Sequence, residues 1–565
     1  MDARWRWLAA GVLLLGCFAL RVAAVYTTAF NWDEFALLDG AARSAFGGAL
    51  HSGGHAGLPE TLLMPWVSAC LDEIHTARGA RLAWLVLTWT ALAGLFVALR
   101  ELLPEGPTRT VDAALGTALL GAIPVFLEWS LQIRTDQIAL CGGTWGIAGL
   151  LLSRRRPVFA VLAGIAFGMG FIGSQKLGYL AALGLVLAAG DLLVHADLRP
   201  KREALRLAIA GAAAAAIVVG WRLFVLAAFE VPAHHSARAA IAPSTTAGYL
   251  NAFDFYRATI GYSQYRTAAG SFLPHFVGLA AMLGVSLAVP RARSRRLALA
   301  WVVLALGLAV ASFHAAAFAY FLMTLGVFFA VALTLAIPSL RRAAETWPEL
   351  GHVAPAVAWG ALALAAGLHT AGALRDTQLV QAESLRFVHR NFAPERAGFH
   401  PEKALFCGVD QPLGLWFSQR IYRAFEGPDK VGKTARLLES FRTEPIHYLV
   451  QSFRLNQFPL EIRQFWADHY QPYRNAVFVA GRQLRGERDE TTSIGLIVPG
   501  LYRWLPAGSA APVWVGETRV GAGEIVSLAA GDHPVRFETD GTRGALMLAV
   551  DDPPGPAPLA FYKSY

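Results

Sequence analysis

Apolar residues dominate the first two-thirds of the chain in long, regularly spaced runs. The first extends from Trp7 to Tyr26, and similar runs recur to about residue 373. Helices of this length cross about 30 Å of hydrocarbon. The pattern predicts eleven spans, at 7–28, 82–99, 111–127, 138–152, 158–174, 177–194, 207–229, 272–289, 297–313, 318–337 and 353–373. The loops between them alternate in charge. Arg100 and Arg109 lie in one, Arg154, Arg155 and Arg156 in another, then Arg199, Lys201 and Arg202. Arg291, Arg293, Arg295 and Arg296 follow, and finally Arg341 and Arg342. Every second loop is basic, and basic loops remain cytoplasmic. The N-terminus is therefore expected inside, and everything after about Gly372 outside. Arg4 and Arg6 precede the first run as in a signal peptide, but no small-residue cleavage site follows, so an uncleaved anchor is expected.

The outer segments differ in kind. The first, 29–81, shows helical patterning over Phe35–Ala49 and again over Pro59–Leu71, with a Gly-rich link from Gly47 to Gly54. Loops at 128–137 and 174–176 are short and polar. The loop at 230–271 interleaves Tyr249, Tyr256, Tyr262 and Tyr265 with Arg238, Arg257 and Arg266, the length and content of a lid. Beyond 373 the composition becomes that of a soluble protein. Residues 374–483 suggest an α/β region. Residues 484–565 read as short strands at Pro512–Val515, Glu524–Leu528, Val535–Glu538 and Ala545–Val550, separated by turns. That pattern suggests a small β-sandwich, either a structural appendage or a glycan binder. The expected fold is a multi-pass α-helical membrane protein, 1–373, carrying a C-terminal periplasmic α/β plus β-sandwich-like region.

Composition agrees. Of 565 residues 55% are hydrophobic and 16% charged, against about 25% charged in soluble domains. The net charge of +9 is gathered in the basic loops, so it reports topology and not a nucleic-acid partner. The four cysteines have no metal-ligand spacing. Cys17 and Cys141 fall inside predicted spans, while Cys70 and Cys407 share the outer side, where a disulfide between them is open to them.

Ionisable groups near hydrocarbon are costly and tend to serve a function. Here they gather on the outer side. Asp33 and Glu34 close the first span, in Phe30-Asn31-Trp32-Asp33-Glu34-Phe35. Glu60 lies late in the first loop, and Glu128, Arg134 and Asp136 lie between the third and fourth spans. Lys176 sits between the fifth and sixth, Arg222 and Glu230 at the outer end of the seventh, and His314 and Tyr320 at the ninth-to-tenth turn. Arg134, Lys176 and Arg222 suit the phosphate of a lipid carrier, Arg as a bidentate fork and Lys as a point charge. Asp33, with Glu34 or Glu60 nearby, supplies a general base. Asp136, Tyr256, Arg257, Arg266, His314 and Tyr320 complete the candidate substrate contacts.

Structural readings stand beside these. Glu34 can cap a helix, and Arg134 and Asp136 can pair at the surface. Lys176 can snorkel from a span end, Arg222 can pair with Glu230, and His314 can be a satisfied interface histidine. His51, His55, Glu60 and Asp33 offer a divalent ion ligands but match no metal motif. With Arg and Lys supplying positive charge, no cofactor or metal is expected.

Together these residues give the chain a resemblance to the GT-C superfamily of integral membrane glycosyltransferases. It is most similar to the branch of protein O-mannosyltransferases and lipid A aminoarabinose transferases. Asp33-Glu34-Phe35 resembles the acidic motif of that family's first outer loop. Gly57-Leu58-Pro59-Glu60-Thr61-Leu62-Leu63 resembles a diverged Pro-rich loop end, and Arg134-Thr135-Asp136 an Arg-x-Asp element. Gly168 to Gly178, containing Ser174-Gln175-Lys176, is similar to a Gly-rich span ending in Thr-Lys-Gly. Phe318-Ala319-Tyr320-Phe321-Leu322-Met323 is similar to a late Tyr-containing span start. The likeness covers about 7–337. The paired prolines are missing around Pro59, and Ser174-Gln175 replaces the usual Thr.

The resemblance implies that Asp33 activates the acceptor and that Arg134 and Lys176 hold the phosphate of a polyprenyl-phosphate-linked sugar donor. One base and a good leaving group imply inverting transfer to a periplasmic glycan, lipid or protein. The expected location is the bacterial inner membrane. The rivals are a transporter or flippase of lipid-linked sugars and an O-antigen polymerase or ligase. A transporter tends to show internal repeats and midplane charges, and neither is evident.

Overall fold

The computed structural model describes residues 3–47, 57–70, 72–194, 200–229, 293–313, 321–346, 377–392, 397–399, 404–407, 429–444, 446–508 and 510–555, with a few isolated positions besides. The expected lid at 230–271, the expected span at 353–373 and most of that at 272–289 lie outside the described residues, as do Tyr256, Arg257, Arg266, His314 and Tyr320.

The N-terminal region is helical: α1 (Ala3–Thr27), α2 (Trp32–Gly47), α3 (Leu58–Val67), α4 (Glu73–Leu102), α5 (Arg109–Ala122), α6 (Pro124–Trp129), α7 (Thr135–Leu152), α8 (Val158–Gly173), α9 (Leu177–Val194), α10 (Pro200–Ala228), α11 (Arg295–Phe313) and α12 (Phe321–Thr346). Among the described residues four helical stretches are long and apolar enough to cross a membrane: Ala10–Thr27, Glu73–Leu102, Pro200–Ala228 and Phe321–Ala343. α10 leaves Leu205, Val219, Leu223 and Leu226 exposed, as a lipid-facing helix does. α7 and α8 pack backbone to backbone: a Cβ at Gly142 would stand 2.5 Å from the Ala166 carbonyl oxygen, so only glycine permits that approach.

Several helices depart from the hydropathy pattern. α10 starts at Pro200, before the expected 207, and α12 runs to Thr346, past the expected 337. Two further departures have a local cause. α4 begins at Glu73, well before the expected 82. Asp72 caps it, its carboxylate accepting the His75 amide at 2.9 Å. Glu73 and Arg78 in its first two turns meet His389 and Gln378 of the C-terminal region, which a hydropathy window cannot see. The expected third span, 111–127, is two helices, α5 and α6. Pro124 lacks an N–H and forces Ile123 into an extended conformation (φ −62°, ψ 126°).

The two ends of the bundle differ. At one, the basic loops are tied by ion pairs: Arg109 and Arg155 to Glu101, Arg154 to Asp191, Arg206 to Glu203 and Arg341 to Asp112. At the other lie the end of α1, the starts of α4 and α7, and the α8–α9 turn.

The C-terminal region comprises α13 (Leu379–Asn391), β1 (Ala397–Phe399), α14 (Lys430–Thr443), β2 (Ile446–Val450), α15 (Leu460–His469), β3 (Tyr470–Arg474), β4 (Val477–Gly486), β5 (Thr491–Leu496), β6 (Gly500–Pro506), β7 (Val513–Val515), β8 (Thr518–Val520), β9 (Ile525–Leu528), β10 (Gly531–Phe537) and β11 (Thr542–Leu548). One sheet has the order β1-β2-β4-β11-β6-β9, with β3 also on β4; a second has the order β5-β10-β7-β8. β4 therefore joins the α/β part to the β-rich part, running through the boundary expected near 484. One hydrophobic core spans the junction with the helices, from Phe35, Leu63 and Trp84 to Tyr448 and Phe441.

That junction is also polar and covalent. The Gln381 side-chain amide pairs with the Phe30 backbone as a strand would, accepting its N–H at 2.8 Å and donating to its carbonyl at 2.9 Å. Gln378 donates to the Val25 and Thr28 carbonyls at 2.7 and 2.6 Å. His389 meets Glu73 at 2.8 Å, and Cys70 is disulfide-bonded to Cys407. The C-terminal region thus clamps the corner from which Asp33 projects.

Candidate active site

The site starts at the α1–α2 corner. Asn31 caps α2: its side-chain oxygen accepts the Asp33 amide at 2.8 Å, and Glu34 reaches back to the Asn31 amide at 2.8 Å. This resembles a capping box with Asn in the cap position, the cap oxygen taking the second helical amide and the third residue, Glu34, closing the return bond. Arg81 of α4, fully buried, fixes the corner to the bundle. It grips Glu34 with two bonds of 2.7 and 2.6 Å and donates to the Thr28 and Ala29 carbonyls at 2.7 and 2.9 Å. Its guanidinium lies 3.9 Å from the centre of the Phe30 ring.

Glu34 also accepts the Ile133 amide at 3.0 Å, so its two oxygens hold four donors. A carboxylate so engaged, with its side chain 0% exposed, is not placed to take a proton from a substrate. In the structure it ties together the α1–α2 corner, α4 and the segment before α7. Hydropathy gave no reason to pair Arg81 with Glu34, because the two are far apart in sequence. The Asn-x-x-Glu spacing is a signal from which the Asn31 cap could have been read.

Asp33, the next residue back, points the other way and keeps 18% of its side chain exposed. It pairs with Arg134 at 2.6 Å. Arg134 approaches Asp136 at 3.8 Å, and Asp136 pairs with Lys176 at 2.7 Å. Carboxylates from two helices thus alternate with cations from two turns. Asp136 lies in the first turn of α7, where the helix dipole favours its charge. Burial pulls the Lys176 ammonium below its ordinary value, against the opposing pull of Asp136.

Arg134 is held from several sides. Its carbonyl accepts the Trp84 indole N–H at 2.8 Å, and its guanidinium lies 5.5 Å from the Trp129 ring centre. It donates to Gln132 at 3.0 Å, and the same Gln132 oxygen accepts from Asn31 at 3.1 Å. Gln132 therefore couples the capping residue of Asp33 to the cation that Asp33 meets. Sequence reading passed over Gln132, Trp84 and Trp129, since uncharged polar and aromatic residues at a span edge carry no distinct signal.

Other expected residues sit elsewhere. Glu60 is buried on α3 against Gly40 of α2, where an added Cβ would lie 2.9 Å from its carboxylate oxygen. Gly40 is two turns along α2, about 10 Å from Asp33 by helical rise. Arg222 is half-buried on α10, and among the described residues no ion pair joins it to Arg134 or Lys176. Among the described residues no three His, Cys, Asp or Glu side chains are grouped to hold a metal ion.

No protein-family model matches the chain, and no curated protein matches it. Two crystal structures of ArnT from Cupriavidus metallidurans share its fold. The apo structure is 14% identical, covering 84% of this chain and 98% of ArnT, with a TM-score of 0.53. The structure bound to undecaprenyl phosphate is 15% identical, covering 85% of this chain and 98% of ArnT, with a TM-score of 0.54. The likeness to lipid A aminoarabinose transferases read from the sequence thus holds at the level of fold.

Proposed function

We propose that this chain is an inverting glycosyltransferase that moves a sugar from a polyprenyl-phosphate carrier to an acceptor at the periplasmic face of the bacterial inner membrane. The observation that carries the reading is the line Asp33, Arg134, Asp136, Lys176, drawn from three separate chain segments to one end of an ArnT-like helical body. That ArnT has been crystallised with undecaprenyl phosphate supports the choice of carrier.

In this reading Arg134 and Lys176 receive the donor phosphate. Each already meets a carboxylate, so the cations are placed and charged before the ligand arrives. The donor phosphodiester, a monoanion, competes with the carboxylates for Arg134, whose fork suits phosphate oxygens. The second negative charge that the phosphate gains as its bond to the sugar breaks is the charge these cations stabilise. As Arg134 turns to phosphate, Asp33 is released to accept the proton of the acceptor hydroxyl. The hydroxyl oxygen attacks the anomeric carbon, the bond to phosphate oxygen breaks, and polyprenyl phosphate leaves with the bonding pair. Arg222 of α10 is proposed to join the phosphate contacts, and the lid residues Tyr256, Arg257 and Arg266, with His314 and Tyr320, to border the sugar and acceptor.

The test uses purified protein in lipid nanodiscs with an undecaprenyl-phosphate-linked sugar. Acceptor-dependent release of undecaprenyl phosphate, lost in Asp33→Asn, supports transfer. Wild-type release by Asp33→Asn sinks the role of Asp33, and passage of uncleaved lipid across vesicles identifies a transporter instead.

A further inference from the structure

The C-terminal region holds a cleft that the transfer reaction does not use. It lies where α14 and α15 face the β5–β10 pair, and its volume is about 740 Å3. Pockets for small ligands run from about 300 to 1,000 Å3. We propose that this cleft binds a neutral oligosaccharide.

The argument is one of side-chain placement. Glu461, Gln464 and Asp468 line the cleft from α15 at intervals of three and four residues, which puts them on one face of that helix. Asp532 lines it from β10, directly opposite Gly495 of β5 in the ladder. Among the described residues none of these four side chains has a hydrogen-bond or ion-pair partner. Planar amides and carboxylates of this kind present paired donors or acceptors that match adjacent sugar hydroxyls. Phe465 forms the wall between them, its ring centre 4.5 Å from that of His469 and 5.9 Å from the Arg442 guanidinium. Leu438 and Leu496 add an apolar lining for the carbon face of a sugar ring.

Charge selects among ligands. Three carboxylates line the cleft against one guanidinium, Arg442. Burial, aided by nearby Arg482, pushes His469 down to about 4, so its ring stays neutral near pH 7. A phosphorylated sugar is repelled by this balance, and a neutral one is not. The carboxylates are not grouped as metal ligands among the described residues, which leaves them to hydrogen bonding.

The experiment uses the full chain in lipid nanodiscs and saturation-transfer difference NMR. The probes are cellotriose, maltotriose and chitotriose, with glucose 6-phosphate as the charged control. At least one trisaccharide is expected to receive saturation, and Gln464→Ala with Asp468→Ala is expected to weaken it roughly ten-fold or more. Both side chains are exposed, so the melting temperature should stay near wild type. Ala530→Trp fills the cleft from the exposed turn before β10 and should abolish the signal. No transfer to any trisaccharide, unchanged transfer in both variants, or stronger binding of glucose 6-phosphate overturns the proposal. Binding is read without sugar transfer, so the result stands apart from the proposed reaction.

Discussion

Exchanging Glu34 and Asp33 one at a time separates support from chemistry. In Glu34→Gln the side chain keeps its volume but loses its charge and one acceptor oxygen. In the native chain Arg81 Nε and the Ile133 amide donate to one oxygen of Glu34, and Arg81 Nη2 and the Asn31 amide donate to the other. A glutamine leaves one of these donor pairs facing an NH2 group and leaves Arg81 as an uncompensated buried cation. Breaking a fully buried pair costs about 3–5 kcal/mol. Asp33→Asn removes half of one partly exposed ion pair and keeps an acceptor for Arg134, so its cost in stability is about 1 kcal/mol. For turnover the order reverses. Loss of a general base slows proton transfer about 10²–10⁴-fold, or about 3–5 kcal/mol of barrier. The assay pairs thermal unfolding in detergent with release of undecaprenyl phosphate per folded molecule. Glu34→Gln is expected to melt far lower yet turn over substantially when folded, and Asp33→Asn to melt near wild type and be almost inactive. A Glu34→Gln protein that folds normally but is dead, beside an active Asp33→Asn, refutes the assignment.

Three further outcomes follow from the same contacts. Arg134→Ala and Lys176→Met should each weaken binding of undecaprenyl phosphate, by about 1.5–3 kcal/mol for a lost charged hydrogen bond; titration calorimetry showing unchanged affinity in both removes them from the phosphate site. The Glu73 hydrogen bond raises His389 above its ordinary value near 6.5, so the pair contributes fully below about pH 6.5 and is lost as pH rises through the raised value. The fall in melting temperature between about pH 6 and pH 8 should be smaller in His389→Gln than in wild type, and identical profiles contradict this. Reducing the Cys70–Cys407 disulfide, whose cysteines are 337 residues apart, should destabilise the chain by about 2–5 kcal/mol; equal melting of reduced and oxidised protein shows that the hydrophobic and Gln378–Gln381 contacts suffice.

Much of the candidate site was legible because its costs are local. A carboxylate beside an apolar run is conspicuous, and Asp33, Arg134, Asp136 and Lys176 stood out for that reason. The structure brings these four together. Glu34 was equally conspicuous, but two adjacent acids on a helix point in different directions. Which one keeps an exposed face and which is buried depends on what packs against that turn. Here Arg81 and the Ile133 amide claim Glu34. Glu60 and Arg222 satisfied the same sequence criterion, yet Glu60 packs against Gly40 of α2 and Arg222 lies on α10, since the criterion reports depth in the membrane and not direction.

The order of polar and apolar residues was enough to determine a helical membrane body, a polar C-terminal region and a cluster of charges at one end. Each follows from solvation, which a residue experiences whatever its distant neighbours are. Pairing is different in kind. The Arg81–Glu34 clasp, the shared oxygen of Gln132, the Gln381 mimicry of a strand and the Cys70–Cys407 link all join segments far apart in the chain. Their energies depend on angstrom-scale distances that only the packed chain sets, and so tertiary structure alone decided which of the two acids is fully buried and which meets Arg134 while keeping an exposed face.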